Sequence, residues 1–173
     1  MQILPTITSI TPSGAWRDKV KEVKKLKLKE VAIFPTCLNQ EERKELYQLF
    51  KKTNVKKIPL VHLRSDMEIW ELDYLVKNYQ TKVFNTHTER EHPILADWGK
   101  YQDLIYIENT HQPFNKGEIK KFAGICLDFS HLEHDRLLHR DIYEHDIKII
   151  KKYPPGCCHI SAIKSEFKYA SHH

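Results

Sequence analysis

The chain has 173 residues, 28 Lys and Arg against 23 Asp and Glu, a formal net charge of +5, and 40% hydrophobic with 29% charged residues. That length lets a domain bury roughly 70% of its extended surface, enough to hold a core without disulfides or a structural metal, and the balance excludes intrinsic disorder. No apolar run approaches the about 20 residues of a membrane span and no basic segment precedes an apolar one at the N-terminus, so one cytoplasmic domain over residues 1–173, with no membrane partner, is expected.

In chain order, residues 3–10 and 31–34 are strand candidates, and residues 16–28 between them place Val20, Val23 and Leu26 at helical spacing among lysines. Asn39 and Glu42 have capping-box chemistry, and the helix they start turns Leu46, Tyr47 and Phe50 to one side. A third strand is predicted over residues 58–62. Ser65 and Glu68 then suggest a second capping box ahead of a helix over residues 67–79, with Ile69, Leu72, Leu75, Val76 and Tyr79 on its buried face. Further strands are predicted at residues 83–86, 104–107 and 125–127, with only a short helix over 115–122 between the last two. A final helix, residues 137–150, ends at Pro154-Pro155-Gly156, and residues 157–160 make a seventh strand.

Repeated βα units favour a parallel sheet covered by helices, either open or closed as a barrel. Neither GxGxxG nor GxxxxGK[ST] occurs, which counts against the nucleotide-binding open sheets. Cys37, Cys126, Cys157 and Cys158 form neither a secreted framework nor a CxxC pair, so largely buried thiols are expected. Trp16, Trp70 and Trp98 are too irregularly spaced for a nucleic-acid stacking array and read as packing residues. Ser130 and Ser161 belong to no GxSxG elbow.

The chemistry concentrates at strand ends. His62, His87, Glu108, Asp128 and His159 close or follow successive predicted strands, at intervals of 25, 21, 20 and 31 residues. Each interval accommodates a return to the next parallel strand, so the five side chains can meet at one mouth. Glu108 and Asp128 together would repel, and a divalent cation removes that conflict. His159 would complete a mixed oxygen and nitrogen shell suited to Zn²⁺, Mn²⁺, Co²⁺ or Fe²⁺, Zn²⁺ or Mn²⁺ foremost. His62, His87 and a bridging Glu108 would hold a second ion, or the two histidines would bind substrate or water. His131 is placed to contact substrate or an ion. Arg64, Asn109 and Arg136 are candidates for orienting a phosphate, carboxylate or sugar hydroxyl, against the plainer reading of local loop contacts and a solvated helix start.

The segments IENTH, LDFSH and CCHIS, in that order after LVHLR and FNTH, resemble the motifs of the xylose-isomerase-like TIM-barrel family, over about residues 3–159. The family includes sugar isomerases, ketose epimerases and type-four apurinic endonucleases. The resemblance implies an α/β, TIM-like parallel barrel, shortened or incomplete, with about seven strands. The family's eighth strand and its second glutamate have no counterpart here, since Glu166 follows His159 too closely. An exposed last edge would call for a terminal cover or a partner such as a second copy of the chain.

In the epimerase branch, Glu108, Asp128 and His159 match the ligands of one divalent ion and His131 matches a substrate contact. Glu108 would then move a proton beside a polarised carbonyl, isomerising or epimerising a small sugar or sugar phosphate through an enediolate. In the endonuclease branch, a hydrolase acting on nucleic acid, His62, His87, Glu108, Asp128, His131 and His159 match metal ligands, and His172-His173 resembles the start of a later loop. A metal or small-ligand binding protein without turnover is the third reading.

Overall fold

The structure is a computed structural model and describes residues 2–9 and 15–160. Ile10, Ser161, Glu166, His172 and His173 lie outside the described residues. Seven strands alternate with helices, and their order in the sheet, β1 to β7, is their order in the chain. The expected α/β class with seven parallel strands is therefore present. The chain divides into two compact units, residues 1–84 and residues 85–173.

In the first unit β1 (Thr6–Thr8), β2 (Ala32–Phe34) and β3 (Leu60–His62) pair in parallel. They alternate with α1 (Ala15–Lys25), α2 (Gln40–Phe50) and α3 (Ile69–Tyr79). The capping box of α2 is formed as expected: Glu42 N–H donates to the Asn39 side chain and Asn39 N–H donates to the Glu42 carboxylate, each at 3.0 Å. Its apolar face, Leu46, Tyr47 and Phe50, is buried.

Other boundaries moved, for local reasons. Strand β1 is shorter than residues 3–10. Helix α1 ends at Lys25 and Lys27 turns left-handed, which leaves Leu26 exposed. The box expected from Ser65 and Glu68 is displaced: Glu68 itself is the N-cap residue of α3, and its N–H donates to the Glu71 carboxylate at 3.3 Å. Ile69 becomes the first residue of that helix and is partly exposed, while Leu72, Leu75 and Tyr79 are buried. Trp16 and Trp98 are packing residues as expected, whereas Trp70 is about a third exposed and its indole N–H donates to Glu68 at 2.7 Å.

Strand β4 (Val83–Thr86) crosses the division between the units. The second unit continues with a 3-10 turn at Gly99–Leu104, then β5 (Ile105–Glu108), α4 (Lys116–Lys121), β6 (Gly124–Asp128), α5 (Phe129–Leu138), α6 (Arg140–Lys152) and β7 (Cys157–His159). Strands β5, β6 and β7 pair in parallel. Ile107, Phe114, Ile119, Ile125 and Ile149 form the core of this unit.

The helix expected over residues 137–150 is present as α6, shifted by two or three residues; an additional helix, α5, starts directly after β6, because Asp128 caps it, and ends at His139. No disulfide joins the cysteines, and only Cys126 is fully buried; Cys157 is half-buried and Cys37 and Cys158 are exposed, which corrects the expectation of largely buried thiols. Among the described residues no helix is long and apolar enough to cross a membrane.

Candidate metal centre

Parallel pairing sets the positions of the site residues in the second unit. In register, Glu108 lies beside Cys126 and Cys126 beside Cys157, while Asp128 lies beside His159. Glu108 therefore starts one layer, two residues along the strand, below the other pair. Its longer side chain makes up the difference: Oε1 reaches Nε2 of His159 at 3.0 Å. Nδ1 of the same ring is 3.2 Å from Oδ2 of Asp128. One imidazole thus joins both carboxylates. Burial works against charge on His159, but Glu108 and Asp128 outweigh it and the imidazole pKa rises.

Each carboxylate is held from behind. Asn85, in β4, donates to Oε2 of Glu108 at 2.5 Å. Asp128 divides its two oxygens between structure and site: Oδ1 accepts the N–H groups of Ser130 at 2.5 Å and His131 at 3.1 Å, capping α5, while Oδ2 faces His159. The helix N-terminus further favours its negative charge. His131, one turn into α5, brings Nε2 to 3.8 Å from Oδ2 of Asp128. His87, following β4, brings Nε2 to 3.9 Å from Oε1 of Glu108.

The donor set fits a divalent cation. Glu108 and Asp128 are 1% and 0% exposed, and Glu108, Asp128 and His131 each offer a ligand atom within 4.8 Å of the others. Two buried carboxylates facing one imidazole concentrate negative charge that a dication beside neutral imidazoles would cancel. Two oxygens with imidazole nitrogen suit Zn²⁺ or Mn²⁺ better than an all-oxygen Ca²⁺ or Mg²⁺ cage.

Other expected site residues also make contacts within their own units. Asn109 is wholly buried and clamps the backbone of Asp128, donating to its carbonyl at 2.9 Å and accepting its N–H at 2.7 Å. It positions Asp128. Arg136 pairs with Glu133 on the exposed side of α5, the solvated helix face of the plainer reading. In the first unit, His62 ends β3 with Nδ1 2.9 Å from the Leu63 carbonyl, and its ring is tilted against Phe34. Arg64 donates to Asp66 and to the Thr36 carbonyl, both at 2.9 Å. Cys126 hydrogen-bonds Cys157 and is buried, both of which hold its thiol protonated and unsuited to nucleophilic attack.

A second constellation of metal-ligand type was not foreseen. His111, His134, Asp135 and His139 converge in the same unit. The first lies in the loop after β5 and the others span the end of α5, so only the four-residue spacing of Asp135 and His139 was readable in the sequence. No family model matches the chain, and no curated protein or solved structure matches it.

Proposed function

We propose that the chain is a short TIM-like α/β protein of the xylose-isomerase type that binds a divalent ion at Glu108, Asp128 and His159 and isomerises or epimerises a small sugar or sugar phosphate. The observation that carries this reading is the single imidazole of His159 held between two buried carboxylates at 3.0 and 3.2 Å. Cysteines without disulfides suit work in the cytoplasm.

A bound Zn²⁺ or Mn²⁺ supplies Lewis-acid polarisation of adjacent carbonyl and hydroxyl oxygens. The residues do the rest. Asp128, fixed by Asn109 and by its own cap bonds, holds Oδ2 toward the site. The Glu108 carboxylate, anchored by Asn85, would take a proton from the carbon beside the carbonyl and return it to the neighbouring carbon while the hydroxyl proton passes to the former carbonyl oxygen. His131, at the mouth of α5, hydrogen-bonds the substrate hydroxyl. The buried setting excludes water and strengthens each of these contacts.

One observation favours a second reading. His87 stands 3.9 Å from Glu108, where a second ion bridged by that carboxylate would find an additional ligand, as a phosphodiesterase acting on abasic DNA would use.

The test incubates the metal-loaded protein with aldoses, ketoses and their phosphates in D₂O and follows loss of carbon-bound protons by NMR. Exchange that depends on the added ion and disappears in Glu108→Gln, which removes ligand and base together, supports the isomerase. Cleavage of abasic DNA with no exchange selects the phosphodiesterase, and metal binding with neither reaction selects a binding protein.

A further inference from the structure

We propose that His111, His134, Asp135 and His139 form a closed four-ligand site for Zn²⁺, separate from the Glu108, Asp128 and His159 centre, which fastens the loop after β5 to the joint between α5 and α6. It stands independently of the isomerase reading.

The local fold creates the arrangement. Asp135 and His139 are four residues apart and share a helix face. His139 keeps its N–H bonded to the Asp135 carbonyl at 2.8 Å, yet its backbone (φ −132°, ψ 64°) has left the helical region, so it closes α5 just before Arg140 opens α6. His134 precedes Asp135, and His111 arrives from the loop.

Four of the six ligand-to-ligand distances lie close to the edges of a tetrahedron. With Zn–N and Zn–O bonds of about 2.0–2.1 Å, tetrahedral ligand atoms sit about 3.3 Å apart. Here Nδ1 of His111 is 3.2 Å from Oδ1 of Asp135 and 3.2 Å from Nδ1 of His134. Nδ1 of His139 is 2.9 Å from the same Asp135 oxygen, and Nδ1 of His134 is 3.7 Å from it. All four residues offer ligand atoms within 4.8 Å of one another.

Hydrogen bonding alone accounts poorly for this geometry. The two facing Nδ1 atoms of His111 and His134 accommodate only one proton between them, and one carboxylate oxygen is approached by three imidazoles. Asp135 and His134 are buried, whereas His139 and His111 are partly exposed and give an ion its way in.

Three imidazoles and one carboxylate fill a four-coordinate shell with no position left for water, the pattern of a structural rather than a catalytic zinc. The ring of His111 also meets that of His131 edge-on at 5.0 Å, so the ion would fix the neighbour of a residue in the other centre.

The test uses the full chain carrying Glu108→Gln and Asp128→Asn, which disables the other centre while the asparagine side chain introduced by the second substitution can still cap α5. Stripped of metal, this protein is titrated with Zn²⁺ against a chromophoric chelator and separately loaded with Co²⁺. One tightly held Zn²⁺ and the strong visible bands of four-coordinate Co²⁺ are expected. His139→Gln on that background should weaken binding by about 100-fold or more, at least the cost of losing an outer-shell partner. If His139→Gln does not fold, His111→Gln, in the loop, takes its place. No competitive Zn²⁺ binding, a weak six-coordinate Co²⁺ spectrum, or unchanged affinity in a folded cluster variant would each overturn the proposal.

Discussion

At the residue scale, side-chain length and the second oxygen of each carboxylate decide what the centre can do. Glu108→Asp shortens the reach by about 1.5 Å from a strand position one layer too low, so ion affinity should fall at least tenfold with folding unchanged; calorimetric titration with Zn²⁺ checks this. Asp128 has a structural and a site role that two substitutions separate. Asp128→Ala should cost about 1 kcal/mol of stability through the lost cap as well as the ion, whereas Asp128→Asn should lose the ion and keep most of the cap. Chemical denaturation beside metal analysis distinguishes them. Asp146 is a separate case: burial pushes its carboxyl from 3.8 up to about 6, although the Phe114 N–H donates to it at 3.0 Å and opposes the rise. The folded protein then holds this proton more tightly than the unfolded chain, so this group's contribution is most favourable below about pH 4 and falls by up to ~3 kcal/mol as pH rises toward 6. Asp146→Asn should remove that slope in urea denaturation at pH 4 to 7.

At the element scale, strand ends were legible and helix partners were not. Alternating apolar runs located β5, β6 and β7 to within one or two residues, and an acid or imidazole at each end was readable directly, which is why Glu108, Asp128 and His159 were found. The Arg43 and Glu71 network in the first unit was invisible, since charges on amphipathic helices ordinarily face water. Arg43, wholly buried, donates from two nitrogens to Glu71 at 2.9 Å each, and Tyr47 donates to the same carboxylate, joining α2 to α3. Glu71→Ala leaves the buried guanidinium only Asp66, at 3.1 Å, and the Leu38 carbonyl, and should cost up to about 3 kcal/mol in denaturation. The His111 cluster was missed for a related reason: it depends on a helix break at His139 that no proline or glycine marks. Gly156, by contrast, has a plain steric role, because a Cβ there would collide with the Tyr106 ring. Gly156→Ala should destabilise by about 1–3 kcal/mol.

At the scale of the whole molecule, periodicity and turn residues were enough to predict an α/β chain with seven strands, but composition could not divide it into two compact units. The +5 charge is spread over several lysine-rich segments and names no partner. An ion held only by the folded state links binding to stability: Zn²⁺ at 100 times its dissociation constant should add about 2.7 kcal/mol to unfolding, and Asp128→Asn should lose that gain for the strand-end centre. Anomalous scattering at the metal edge is the most direct measurement, made on crystals of the full chain grown with Zn²⁺. A peak bounded by the side chains of Glu108, Asp128 and His159 is the expected result; Zn²⁺ bound elsewhere, with no peak among those three, would contradict the strand-end centre.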